Sequence, residues 1–155
     1  MASNLLKHIN FALIAFAALF AVLATAGNHW RTLKTDHNNH LGLWKQCTAI
    51  GCSTHDIESV RPTQVLMVLS CICFVFIFAY MLLLHFVKTL SPKFTAILLL
   101  ITFVFEVAAM GYFTHKMQDD LHSFEWSFAL GWVSAGLALI TGIISFFHAE
   151  DYDQL

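Results

Sequence analysis

The sequence predicts an all-α membrane protein, a bundle of four transmembrane helices with a small folded cap on one side. Three observations predict it. The chain of 155 residues is 58% hydrophobic and only 12% charged, where a soluble domain carries about 25% charged residues. Four apolar stretches each reach the length that crosses about 30 Å of hydrocarbon at about 1.5 Å per residue. The longest polar stretch holds Trp30, Trp44, Cys47 and Cys52, residues that a loop carries when it packs and is bridged or binds metal. The length suits one domain, so 1–155 reads as a single unit. A formal net charge of −2 leaves no basic footprint for nucleic acid. The 15 phenylalanines suit surfaces that face lipid.

The first apolar stretch spans about 9–26. Lys7 before it and Ala24-Thr25-Ala26 at its end imitate a signal peptide, but the run is longer than the usual h-region of about 7–15 residues. It reads as a retained helix. A long polar loop follows, 27–62, and then a second helix over about 63–87. Lys88–Lys93 reads as a tight turn in which Pro92 stops helical continuation. A third helix covers about 94–113, a second loop 114–125, a fourth helix about 126–147, and a short acidic tail ends the chain. An even number of helices places both termini on one side.

Lysine and arginine counts do not decide which side that is. Redox chemistry does, because a disulfide persists only in an oxidising compartment. A Cys47–Cys52 bridge places the long loop outside the cell and both termini in the cytoplasm, in a multi-pass protein of the plasma membrane. Metal binding by the two cysteines with His40 or His55 is the other reading of the pair, but the spacing is not a recognised zinc pattern. Cys71 and Cys73 fall inside the second helix and read as small buried hydrophobes. Ala17 and Ala21, then Gly131, Ser134, Ala135, Ala138 and Gly142, are small residues that let membrane helices approach closely. Packing within the bundle accounts for them.

Trp30, then Gly42-Leu43-Trp44, then Cys47 and Cys52, ahead of three further membrane segments, resemble the claudin superfamily. That group includes the claudins, the peripheral myelin and epithelial membrane proteins and the lens fibre membrane proteins. Gln64–Ser70 is similar to the start of the second helix in the epithelial membrane proteins. Phe124–Val133 is similar to the start of the fourth helix in the lens-type branch, which also has a comparable cysteine spacing. The resemblance covers nearly the whole chain. It implies a left-handed four-helix bundle in which the first loop contributes most of a small extracellular antiparallel β-sheet. Two features differ from other branches: the chain has no Asn-x-Ser/Thr sequon and does not end in Tyr-Val.

Candidate working residues lie in two places. In the cap they are Trp30, Gly42, Leu43 and Trp44 with the Cys47–Cys52 pair. Trp30, Leu43 and Trp44 are expected to anchor the cap at the bilayer interface, where tryptophan is favoured. Within the membrane, Glu106 is an ionisable residue where such residues are costly. Ser70 and Ser134 fall at about its depth, so a protonated Glu106 hydrogen-bonded between helices is expected. Six histidines in the loops, His29, His37, His40, His55, His115 and His122, read as solvated, as does the acidic group Asp119, Asp120 and Glu125. No nucleophile–base pair, phosphate loop or cofactor motif is present, so no catalytic residue, metal or cofactor is expected. The function expected is non-enzymatic: adhesion or membrane organisation at cell–cell contacts, through a second copy or another membrane protein, with membrane lipid around the bundle. The alternative is an auxiliary subunit of an ion channel or receptor. Asp153-Gln154-Leu155 could add as a strand to a PDZ domain, with Leu155 as the terminal apolar residue.

Overall fold

Hydrocarbon offers no partners to a backbone, so an apolar segment must satisfy its own N–H and C=O groups, and the helix is the form that does so. The computed structural model describes residues 2–34, 36–54, 58, 60–86, 93–117 and 122–153. It has four helices, α1 (Ala2–Ala26), α2 (Arg61–Phe86), α3 (Lys93–Met117) and α4 (Trp126–Asp153). Each contains a stretch long and apolar enough to cross a membrane: Lys7–Ala26, Arg61–Leu84, Lys93–Met117 and Trp126–Phe147. The chain is a multi-pass membrane protein. Helices α1, α2 and α4 run past their apolar windows, because extending a formed helix adds one hydrogen bond for each residue fixed. His115 and Lys116 occupy the last turn of α3, where positive charge suits the helix dipole.

The interior follows one rule on all four helices. Buried positions recur in steps of four and three: Asn10, Ile14, Ala17, Ala21 and Ala24 on α1, and Thr63, Met67, Ser70, Phe74 and Ile77 on α2. The same steps give Leu99, Thr102, Glu106, Ala109 and Phe113 on α3, and Ser127, Gly131, Ser134, Ala138, Thr141 and Ser145 on α4. A seam that repeats every 3.5 residues, about one tenth of a residue short of a full helical turn, winds the helices into a left-handed bundle. α3 packs on α2 and α4, and α1 packs on α4, with a lighter contact between α1 and α2.

The seam is polar at many of these positions because the solvent outside is apolar. Side chains such as Val75, Phe76 and Phe147 face outward, while the hydroxyls of Thr63, Ser70, Thr102, Ser134 and Thr141 turn inward and find carbonyls. Thr102 and Thr141 bond to Leu98 O and Leu137 O on their own helices at 2.8 and 2.7 Å. Asn10 Nδ2 donates to Ser145 Oγ at 2.8 Å, joining α1 to α4.

The cap is one antiparallel sheet. Its strands are β1 (Arg31–Leu33), β2 (Asp36–Leu41), β3 (Lys45–Thr48), β4 (Gly51–Thr54) and β5 (His122–Phe124), in the order β4-β3-β2-β1-β5. Four strands come from the first loop, and the second loop adds β5 at one edge. The Cys47–Cys52 disulfide joins β3 to β4. The turn expected over 88–93 and several other expected features fall largely outside the described residues: His55, Asp119, Asp120 and the PDZ-type terminus at Leu155.

Candidate functional site: the cap and its seat on the bundle

The last four carbonyls of a helix have no partners within it. At the cap end of α1 these belong to the residues from Leu23 to Ala26. Gly27 N–H donates to Leu23 O at 2.9 Å. Trp30 Nε1 donates to Ala24 O at 2.7 Å, and Trp44 Nε1 donates to Thr25 O at 2.7 Å. The two tryptophans therefore act as side-chain caps of α1, and this ties the sheet to the helix that leads into it. An indole N–H is a donor with no acceptor function, so it suits an unpaired carbonyl.

Trp30 is fully buried, and so, to within 2%, is Leu43. Both sit in a cluster with Ala24, Val60, Met67, Ala109, Met110, Phe113 and Phe128, which draws on all four helices and the segments leading into them. Phe113 meets the Trp30 ring edge-on at a centroid distance of 4.8 Å, and Phe128 does so at 5.9 Å; this is the favoured geometry for aromatic pairs. The expectation that Trp30 and Leu43 face the bilayer interface is therefore corrected: they plug the end of the bundle. The reason is that the acceptor for Trp30 lies at the helix end inside the bundle, so its ring is closed in by protein. Trp44, 41% exposed, is the partly open member of the three.

Gly42 and Leu43 explain the remainder of the Gly-Leu-Trp run. Gly42 N–H donates to Lys45 O at 2.9 Å, closing the turn from β2 to β3. A Cβ at Gly42 would lie 2.5 Å from the Cα of Asn28, so the turn passes too close to the chain leaving α1 to admit a side chain. Leu43 O accepts from Gln64 Nε2, which fastens the turn to α2. On the opposite side, Glu125 N–H donates to Trp30 O and Ser127 N–H to His29 O, both at 3.1 Å, which fastens the sheet to α4.

The registers place one row of side chains across the whole sheet. Cys52 lies opposite Cys47, Cys47 opposite His40, His40 opposite Thr32, and Thr32 opposite Ser123. Directly opposite residues share a face, so His40 stands beside the disulfide. A ring nitrogen of His40 and the two sulfurs lie within 4.8 Å of one another, with both sulfurs committed to their mutual bond. The His29 ring stacks on His40 at 4.1 Å with planes 11° apart, and on Trp126 at 5.8 Å. Of the six loop histidines, the fold thus brings His29 and His40 together. At the end of the β3–β4 hairpin Ile50 is fully exposed. Gly51, at φ 149°, supplies the backbone conformation that closes the hairpin and that other residues rarely adopt.

Glu106 is fully buried between the two apolar clusters of the bundle. Ser134 Oγ lies 2.8 Å from Glu106 Oε1 and 2.9 Å from Ala17 O. A hydroxyl carries one hydrogen, and a carbonyl only accepts. When the Ser134 hydrogen goes to Ala17 O, the contact with Glu106 needs a hydrogen from the carboxyl group, so both bonds form together with a protonated Glu106. The three residues link α3, α4 and α1. Ser70 Oγ donates to Met67 O on its own helix, at 2.8 Å.

Sequence reasoning missed Phe113, Phe128 and Gln64, the partners that hold Trp30 and Leu43 in place. Their signal was present: Phe113 and Gln64 lie at the cap ends of α3 and α2, on or beside seam positions. Residues 1–145 match the model of the PMP-22/EMP/MP20/Claudin family. The chain is 26% identical over 139 residues to the lens fiber membrane intrinsic protein of Rattus norvegicus, with 81% of this chain and 80% of the relative covered. The Homo sapiens protein of the same name is 27% identical with the same coverage.

Proposed function

This chain belongs to the PMP-22/EMP/MP20/Claudin family, and from that premise we propose that it is a non-enzymatic organiser of membrane contacts whose working surface is the cap. In this reading the cap faces the cell exterior, where the Cys47–Cys52 bond is stable, both termini are cytoplasmic, and the protein resides in the plasma membrane. The observation that carries the reading is the way the cap is presented. Trp30, Trp44, Gln64 and the two backbone bonds to the start of α4 fasten the sheet to three helices, while the hairpin tip at Ile50 stands fully exposed. A surface held rigid before binding loses less conformational entropy when a partner arrives. The partner is a second copy or another membrane protein, met through the loops, with lipid around the bundle and no cofactor or nucleic acid involved.

The test is expression in cells that lack the protein, comparing the native chain with Ile50→Asp. The native chain should concentrate at cell–cell borders and promote aggregation of suspended cells, and Ile50→Asp should reach the surface in equal amount but lose both behaviours. Equal aggregation by the two would remove the hairpin tip from the mechanism. Purification in mild detergent checks the other arm: a stoichiometric channel or receptor would replace this reading with that of an auxiliary subunit.

A further inference from the structure

We propose that the Cys47–Cys52 bridge is a thiol-exchange site, in which a low-molecular-weight thiol attacks Cys52 and Cys47 departs as the thiolate beside His40. The two sulfurs are not equivalent. Cys47 is 4% exposed, whereas Cys52 and every other residue of β4 are exposed. Exchange proceeds through attack of a thiolate on one disulfide sulfur, and its rate depends on access to that sulfur and on how well the other leaves as a thiolate.

The sheet decides the direction of attack. The attacking sulfur must approach along the S–S axis from the side opposite the leaving sulfur. β4 is an edge strand and exposed along its length, so among the described residues no strand of the sheet lies beyond Cys52. On its other side Cys47 is flanked by β2, where His40 sits directly opposite it. His40 thus closes one approach. The same position puts its ring nitrogen next to the leaving group, within 4.8 Å of the sulfurs, and the stack with His29 at 4.1 Å holds the ring there.

The step balances in atoms and electrons. The thiolate's electron pair forms a new S–S bond to Cys52 Sγ. The Cys47–Cys52 bond breaks, and its pair leaves on Cys47 Sγ, a thiolate to which the imidazole N–H of His40 can donate a hydrogen bond. The product is a mixed disulfide on Cys52 and a thiolate on Cys47, which takes up from water the proton that the attacking thiol gave up to it, and no net oxidation or reduction occurs. The Cα atoms of the two cysteines are 4.0 Å apart, so Cys47 can attack back and release the small thiol, which makes the site reversible.

The experiment uses the full chain in mild detergent with Cys71 and Cys73 replaced by alanine, so that no other thiol reacts. Glutathione is added at millimolar concentration, samples are quenched at intervals with excess N-ethylmaleimide, and the adducts are located by peptide mass spectrometry. The expected result is glutathione on Cys52 and maleimide on Cys47. Glutathione on Cys47 would overturn the proposal, and so would a bridge that stays closed in the native protein while it opens in the denatured one. His40→Gln should slow opening several-fold with circular dichroism and Trp fluorescence unchanged. An unchanged or faster rate in that variant would overturn the part assigned to His40. In Cys47→Ser the free Cys52 thiol cannot join reduced glutathione without an oxidant, so this variant should carry maleimide and no glutathione on Cys52, which controls for traces of oxidised glutathione.

Discussion

Trp30 carries three kinds of contact on one side chain: an indole hydrogen bond to Ala24 O, edge-on packing against Phe113 and Phe128, and complete burial. Each has a separable cost. Trp30→Ala should lower stability by about 3–5 kcal/mol, the range for deleting a large buried aromatic side chain. Trp30→Phe keeps most of the packing and loses the donor, leaving Ala24 O unpaired, which costs about 1–3 kcal/mol. Thermal unfolding in detergent, followed by Trp fluorescence or differential scanning, orders the two. Glu106 gives a sharper contrast. Glutamine can supply an N–H to Ser134 Oγ where the protonated carboxyl supplies an O–H, so Glu106→Gln should shift stability little. Glu106→Ala removes the link from α3 to α4 and leaves a cavity, costing about 2–5 kcal/mol. Equal loss in the two variants would show that Ser134 depends on the charge of Glu106 rather than on its hydrogen bond.

Among the elements, the β2–β3 turn and the disulfide hairpin decide whether the cap keeps its shape. Gly42→Ala drives a Cβ into the backbone at Asn28, where no flexible side chain can yield, so the turn must move and the Trp44 bond to Thr25 O with it. Gly136→Ala, on α4, meets nothing within 4 Å and should be tolerated. Near-ultraviolet circular dichroism, which reports tryptophan packing, should change in the first variant and not in the second. Cys47→Ser should leave the helical signal intact, because each helix satisfies its own backbone. Closing so short a loop stabilises by roughly 2–3 kcal/mol in the chain-entropy model. The larger consequence is positional, since two residues separate Trp44 from Cys47 and release of the hairpin loosens the indole cap on α1. Near-ultraviolet change together with lost self-association is the expected pattern. Unchanged association would show that the hairpin is not the working surface.

For the whole molecule, the cap and the bundle form one mechanical unit. The cluster that contains Trp30 lies at the junction of sheet and helices, and its hydrogen bonds reach α1, α2 and α4. A partner that binds the hairpin therefore meets a surface already set by the membrane domain. This predicts coupling: Phe113→Ala, remote from the hairpin tip, should weaken contact formation by the native cap even at equal surface expression. Cell aggregation scored against surface biotinylation measures it. Full contact activity in Phe113→Ala would place the working surface beyond the influence of the bundle.

The four spans and the bridge between Cys47 and Cys52 were legible in the sequence, because they rest on local length, composition and spacing, and the family was legible as a resemblance carried by Trp30, Gly42-Leu43-Trp44 and the two cysteines. Four apolar runs can only be helices in hydrocarbon, and two cysteines at the ends of a short turn can reach each other whatever surrounds them. The tertiary structure decided what those residues touch. Trp30 reads as an interface residue until the carbonyl of Ala24 and the rings of Phe113 and Phe128 are seen to enclose it. Ser134 reads as a small packing residue until Glu106 and Ala17 O are found on either side of it. His40 reads as one solvated histidine among six until strand pairing sets it opposite Cys47. In each case the partner lies on another element, and only the register of strands and the rotation of helices about the seam bring the two together.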